Sequence, residues 1–512
     1  MVSSRLAGTT ALVMFLSAPA FADVTPEQVW ENWQAIATSS GQTLTTQSVE
    51  RDGDTLVVTG LVMDMSQEGA VAKGTIEEVR FRDAGDGTVE ITMSDTYPLE
   101  MTIPPTEDGG EPTTLMIEVS QPGAVFTASG DETETAYDFA APTLTVALDS
   151  IEGVDAEAIN MTAELALANV SGKYLVAAGA DASDLTSSFA ADSLTVNVAG
   201  SDLDPSPAEG EAATPSNFKM NLAMGDITGT TNGTFLGAAA MADLSAALSA
   251  GFKSDGTIST GATTYSMEIT DATGLTTISG ASDSNSIGFG MDANRLAYAG
   301  GAKGVTMKMS APTIPFPEVT LTYAEAAFDF LMPVSPSDVP ADFTLLTKII
   351  DLTVSEEIWG IIDPAAQLPR DPATIVIDTT GTATLTASIM DPAAMEALGD
   401  QPPGELNSLN INEIRAKIAG AELTGNGALT FDNTDLVTYG GMPAPTGKID
   451  LKLVGGNTLM DKLVAMGLLP EDQVMGFRMM LSMFANATGE DELTSTLEFK
   501  DGGFFANGQQ LQ

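Results

Sequence analysis

Val89-Glu90-Ile91-Thr92-Met93-Ser94 decides the fold class. Apolar Val89, Ile91 and Met93 alternate with polar Glu90, Thr92 and Ser94, the period of an extended strand with one buried face. The same grammar spreads outward. Upstream, Leu44 to Arg51 turns at Asp52-Gly53 into Leu56 to Met65, and Lys73 to Arg82 runs into a turn at Gly85-Asp86-Gly87. Downstream come Leu115 to Val119 and Leu144 to Leu148, and Leu144-Thr145-Val146-Ala147-Leu148 is echoed by Leu194-Thr195-Val196-Asn197-Val198. The strands are rich in Thr and Val, and aromatics are only 6% of the chain, so the sheet faces should be small and smooth.

Helical signals frame this meander. Thr25 is a good N-cap, Pro26 suits the first helical position, and Gln28 completes a capping box. Val29, Trp30, Trp33, Ile36 and Ala37 fall on one face, and Gly41 stops the helix. A further short helix is expected within Ala238 to Ala250. Phe343, Leu346, Ile349 and Ile350 fit a helix starting near Pro340. Ser355 caps another through Trp359 to Ile362, ended by Asp363-Pro364. Strands resume at Thr374 to Asp378, Thr382 to Ile389 and Ile411 to Phe431. Asn457 is the expected cap of a helix ended by Gly467, and Pro470 opens the last one. Leu493 to Lys500 then reads as a strand, Asp501-Gly502-Gly503 as a turn and Asn507-Gly508 as a second turn.

The expected fold is therefore α+β, mainly β, with long curved antiparallel sheets, an N-terminal helix and short C-terminal helices. The Pro-rich run Asp202 to Asn217 suits a linker. The expected division is a signal peptide at 1–22, a β-rich domain with its leading helix at 23–201, the linker at 202–217, a Gly/Ala/Thr-rich β region at 218–311 and an α+β domain at 312–512.

Composition narrows the chemistry. Neither histidine nor cysteine occurs in the 512 residues. That removes Ser-His-Asp and Cys-His catalysis, zinc sites of the usual kind and disulfides. Asp and Glu total 70 against 20 Lys and Arg, a net charge of −50. Phosphate recognition needs clustered cations, so nucleic acid is excluded as a partner and an anionic membrane surface is disfavoured. The Asp clusters at Asp202-Leu203-Asp204 and Asp432-Asn433-Thr434-Asp435 lack the calcium loop with its terminal Glu. Arg5, the apolar stretch Leu6 to Leu16 and Ala20-Phe21-Ala22 read as a secretory signal cleaved before Asp23. No later window is long and apolar enough for a transmembrane helix, so an exported, periplasmic chain is expected.

Trp359-Gly360-Ile361-Ile362-Asp363-Pro364, followed by Leu368-Pro369-Arg370-Asp371-Pro372, resembles a hallmark of a secreted alphaproteobacterial family known only as a domain of unknown function. The ending, Leu497-Glu498-Phe499-Lys500-Asp501-Gly502 with Asn507-Gly508, is similar to that of the same family and, more distantly, to periplasmic proteins of the YdgA type. A still more distant likeness to the AsmA group implies a sheet groove that shields lipid. The resemblance carries no activity, and Asp363, Arg370 and Asp371 are expected to serve structure where Pro364, Pro369 and Pro372 fix a connection. Methionine-rich apolar surface at Met475, Phe477, Met479, Met480, Met483 and Phe484 supplies candidate ligand contacts. The expected function is a non-catalytic envelope protein without cofactor or metal, binding a lipid or other hydrophobic ligand on a β-sheet groove. A scaffold acting through envelope protein partners, or an outer-membrane β-barrel, is the alternative.

Overall fold

The computed structural model describes residues 24–511 apart from 40, 68–69, 106–111, 132, 154–159, 180–181, 202–215 and 238–239. The signal-cleavage positions Ala20, Ala22 and Asp23, and the Asp202–Asp204 cluster, lie outside the described residues. Strands make up 64% of the structure, joined into one antiparallel sheet, with six helices among the described residues.

The sheet is a meander. Each long strand pairs with the one before and the one after it in the chain, as Asn160–Ala178 does with Glu134–Glu152 and Ala182–Ser201. Several long strands are interrupted in the middle. Val89–Met93 and Thr96–Ile103 lie end to end along Ala70–Asp83, and Lys253–Thr260 and Thr263–Asp271 lie end to end along Asn217–Leu236. Strands on either side of the expected linker pair with each other, with Ser201 opposite Asn217, and pairing continues across the expected boundary near 311, with Met309 opposite Val319. Among the described residues no ladder joins the first strands to the last.

The interruptions share one line. Gly60, Asn169, Asp226, Gly304 and Asp351 all have positive φ, between 48° and 61°. Glycine, asparagine and aspartate tolerate that region best. The register places these residues in a single row across the sheet: Pro142 opposite Asn169, then Asp192, Asp226 and Gly261, and further on Asp283, Gly304, Ala324 and Asp351. Pairing keeps the same register on both sides of Asn169, Asp226 and Gly304, with a one-residue shift at Asp351 against Ala373–Leu385, so what changes at the row is chiefly the facing of the strand. Ala141 and Leu144, Val170 and Leu167, Ala191 and Leu194, Ile227 and Met224 are each three residues apart, yet all pack in one cluster. In a regular strand an odd separation puts side chains on opposite faces. Freed polar groups are answered locally: Asn169 Nδ2 donates to Asp192 Oδ2 at 2.7 Å, and Gly225 N donates to Ala262 O at 2.9 Å.

This crease makes the sheet a trough. Residues just beyond it are buried without any second sheet above them, Leu61 to 1% and Val170 to 4% exposure. Val170 lies where apolar residues from both wings lean together, and Leu61 in the cluster that the first helix also joins.

Helix α1 (Pro26–Ser39) closes the first end of the trough. Its capping box forms as expected: Gln28 Oε1 accepts from Thr25 N at 2.9 Å, and Gln28 N donates to Thr25 Oγ1 at 3.3 Å. Gly41, at φ 76°, ends it. Val29 and Trp30 pack on Leu56, Val58, Val79, Phe81 and Ile91, with Trp30 5.9 Å and Trp33 5.2 Å from the Phe81 ring. Each such buried side chain contributes roughly 1.5–3 kcal/mol, so α1 is a fixed part of the core.

The remaining helices are α2 (Leu244–Ser249), α3 (Glu356–Ile362), α4 (Pro392–Leu398), α5 (Gly456–Ala465) and α6 (Glu471–Phe484). The short helix expected within Ala238 to Ala250 is α2, which follows a 3-10 turn at Ala240–Ala242. Two expectations need correction. Phe343, Leu346, Ile349 and Ile350 lie in the strand Ala341–Val354, because ladders on both sides outweigh the local periodicity. Asn457 does not cap α5. The cap position is Gly455, at φ 71°, and the Asp491 carboxylate accepts from Asn457 N and Thr458 N, both at 2.9 Å.

A Cβ at Gly304 would meet the Asp283 carboxylate as well as a positive φ. Gly304→Ala should therefore destabilise the fold by about 1–3 kcal/mol, measured by urea unfolding. Gly360→Ala, in α3 with open space around it, should leave the midpoint unchanged or raise it.

Candidate functional site

The trough separates apolar from polar residues strand by strand. On one wing Leu144, Leu167, Leu194 and Met224 stand opposite one another, and beside them Val146, Leu165, Val196 and Leu222 form a second row. The echoed segments Leu144–Leu148 and Leu194–Val198 thus flank the same strand in the same register. On the other wing one row runs Ile258, Ile287, Gly300, Phe328, Thr347, Ile377 across successive strands. The next row includes Phe289, Tyr298, Phe330 and Leu345. Glycines leave room for rings to lie across the floor: a Cβ at Gly300 would come 2.7 Å from the Phe328 ring, and one at Gly256 2.6 Å from the Phe289 ring. The opposite face carries Thr, Ser, Asn and ion pairs such as Lys173–Asp138 at 2.8 Å and Lys348–Glu325 at 2.8 Å.

Away from α1 the apolar floor is open to solvent. Ile258, Ile287 and Phe328 are 53%, 54% and 44% exposed. Isolated exposed apolar residues are ordinary, but a contiguous row of them marks an interaction surface.

Beneath α1 the trough becomes a cavity of about 440 Å³. Both wings line it, Leu44, Met63 and Tyr97 from one and Phe126, Phe139 and Tyr174 from the other, with Trp33 and Ile36 above. Two polar groups of this mainly apolar lining are buried without a partner. Gln121 is 8% exposed, and its Nε2 has no hydrogen-bond partner; the Tyr137 hydroxyl is likewise buried without one. Burial pushes the Tyr137 hydroxyl up to about 12, against smaller lowering by the Asn32 and Trp33 donors, which face its oxygen without completing a hydrogen bond. Burial also raises Tyr97 and Tyr174. No residue lining the cavity is cationic or acidic at neutral pH.

The sequence motif around Asp363 forms a clamp away from the trough floor. The buried Asp363 carboxylate accepts from Gln367 N at 2.9 Å, Leu368 N at 2.7 Å and Arg370 at 2.8 Å. Arg370 stacks 4.4 Å over the Trp359 ring, and Asp371 accepts from Gly420 N at 3.2 Å. Pro364 and Pro372 bound the segment, and Pro369 packs 3.1 Å from where a Cβ on Gly420 would stand. Asp501-Gly502 and Asn507-Gly508 are turns with positive φ at both residues. Asn507 also donates to Phe484 O at 2.9 Å, tying the last hairpin to α6. Asp432 and Asp435 spend their carboxylates on Thr434 and Thr438, and no group of acids suited to a metal occurs among the described residues.

The methionine-rich contacts are placed elsewhere than the trough floor. Met475, Phe477, Met479, Met480 and Met483 are exposed on α6, where only Val474 is buried, and Phe484 stacks loosely on Phe504 at 6.4 Å. The floor residues and the pair Gln121 and Tyr137 were not singled out from sequence. Their signal is a mid-strand Gly, Asn or Asp followed by Leu, Val or Ile, as in Gly60-Leu61, Asn169-Val170 and Asp226-Ile227, where the alternation changes phase.

The clamp has a pH signature. Burial pushes Asp363 up, but the Leu368 and Gln367 N–H groups and Arg370 outweigh it and hold the carboxyl below its usual range. A depressed pKa contributes stability that is complete above the unfolded value near 3.9 and is lost as pH falls through the folded value. Asp363→Asn should therefore lower the melting temperature at neutral pH, and the gap to wild type should shrink on acidification below about pH 4, by calorimetry.

No curated protein and no solved structure matches the chain. A family described as an uncharacterized protein conserved in bacteria (DUF2125) matches residues 246–511, from α2 through the last hairpin. The match spans the open part of the trough, the clamp and α6, and excludes the cavity under α1. By this match over just over half of its length, the chain belongs to that uncharacterized bacterial family.

Proposed function

We propose that the protein is an exported, non-catalytic carrier that holds a lipid or other hydrophobic ligand along the trough. The observation that carries this reading is the row Ile258, Ile287, Phe328 and Ile377, largely apolar, broken only by Gly300 and Thr347, and open to solvent on the inside of the bend. Each methylene laid on such a face leaves water at up to about 0.8 kcal/mol, so binding should strengthen with the length of the acyl chain. The leader-like N-terminal stretch supports export to the periplasm. The exposed apolar face of α6 favours a second reading, a scaffold that docks an envelope protein through Met475, Met479 and Met483.

Native mass spectrometry and lipid extraction of the purified full chain test the carrier reading. Wild type should carry hydrophobic ligand. The double variant Ile287→Glu, Phe328→Glu should lose most of it and keep its melting temperature within a few degrees, since both positions are open to solvent. A wild-type chain that takes up no lipid from mixed vesicles would overturn the reading.

A further inference from the structure

We infer that the cavity under α1 receives the uncharged oxygen end of the ligand, an ester or ketone carbonyl, and that Gln121 Nε2 and the Tyr137 hydroxyl donate the hydrogen bonds that hold it. This rests on the reading of the trough as a hydrophobic-ligand site. The first support is the unpaired polar chemistry. A buried donor without a partner costs about 1–3 kcal/mol, and such groups are few in folded proteins. Here two of them, one at a break between two strands and one on the strand paired with both, line the same cavity. Gln121 lies at the break between the strands Thr113–Ser120 and Val125–Gly130, where its backbone N donates to Asp95 O at 2.7 Å. The crease thus fixes the main chain at Gln121 and leaves the amide over the cavity.

The second support is charge. The lining is Trp, Tyr, Phe, Met, Leu, Ile, Ala and Gln, with no Lys or Arg, in a chain of net charge −50. A carboxylate or phosphate would enter without a counter-charge, which burial penalises heavily. The tyrosine hydroxyls, raised by burial, remain neutral donors. A neutral acceptor oxygen matches two neutral donors. The third support is continuity: both wings line the cavity, so it is the covered end of the trough, and an apolar tail leaving it meets the floor beyond α1.

Trp33 lines the cavity and provides the readout. Quenching of tryptophan emission in the full chain by dibromostearoyl glycerol, a neutral ester, is compared with quenching by dibromostearic acid at neutral pH. The ester should quench with saturable affinity, the acid should bind at least about tenfold more weakly, and Trp33→Phe should abolish the effect. Tyr137→Phe and Gln121→Leu should each weaken the ester about fivefold while the melting temperature of the ligand-free protein stays level or rises. A purely structural role would instead lower it. Equal binding of acid and ester, unchanged affinity in both variants, or no quenching in wild type would overturn the inference. Native mass spectrometry separates the two readings. Lipid retained by wild type without Trp33 quenching removes this inference alone, and Trp33 quenching that survives where the trough carries nothing removes the trough reading.

Discussion

The structure depends on a row of backbone reversals set side by side. A strand that flips its facing once, at a residue in the left-handed region, presents the same apolar side into the angle on both halves. Asn169, Asp226 and Gly304 make that flip in separate strands, and the register lines them up. Without the flip, the Leu144–Leu167–Leu194 wing would show its apolar rows to one side of the sheet and the Phe139–Phe189 wing to the other. With it, both wings share one inner face. Pro142 in the row brings no N–H that the bend would leave unpaired.

The rest follows from where that inner face is covered. At the first end α1 lies across it, burying Trp30 against Phe81 and leaving Trp33 over a cavity. Farther along, α2 covers only the edge of the same face at Phe235 and Met291, and Ile287 and Phe328 remain half-exposed. A small domain hides such surface against a second layer. Here a single layer bent on itself does so only near the crease, where Val170 and Ile227 are buried. The clamp at Asp363 has a different task. It fixes the connection after α3, where Arg370 bridges the carboxylate and the Trp359 ring, and it places no group on the floor. The family match covers this clamp and the open floor but not the cavity.

Much of the fold was legible because its rules are local. The capping box at Thr25 and Gln28, the stop at Gly41, the short helix after Ser355 and the turns at Asp501-Gly502 and Asn507-Gly508 each rest on residues a few positions apart. The segment Phe343 to Ile350 was misread because its apolar residues satisfy helical spacing, and only pairing with Val319–Pro333 and Ala373–Leu385 makes it a strand. Asn457 was misread because the true cap, Asp491, arrives from another part of the chain. The methionines of α6 drew notice by composition, yet composition does not say which surface a helix leaves open.

The sequence by itself determined the extended period, the antiparallel meander, the leading helix and the chemistry that a chain without histidine or cysteine lacks. These are properties of neighbouring residues and of counts. Only the tertiary structure decided that separate Gly, Asn and Asp residues fall in one row, that the row folds the sheet toward its apolar side, and that Gln121 and Tyr137 meet beneath α1. Each of those depends on cross-strand register, and register is set by the sum of long-range pairings rather than by any stretch of residues read alone.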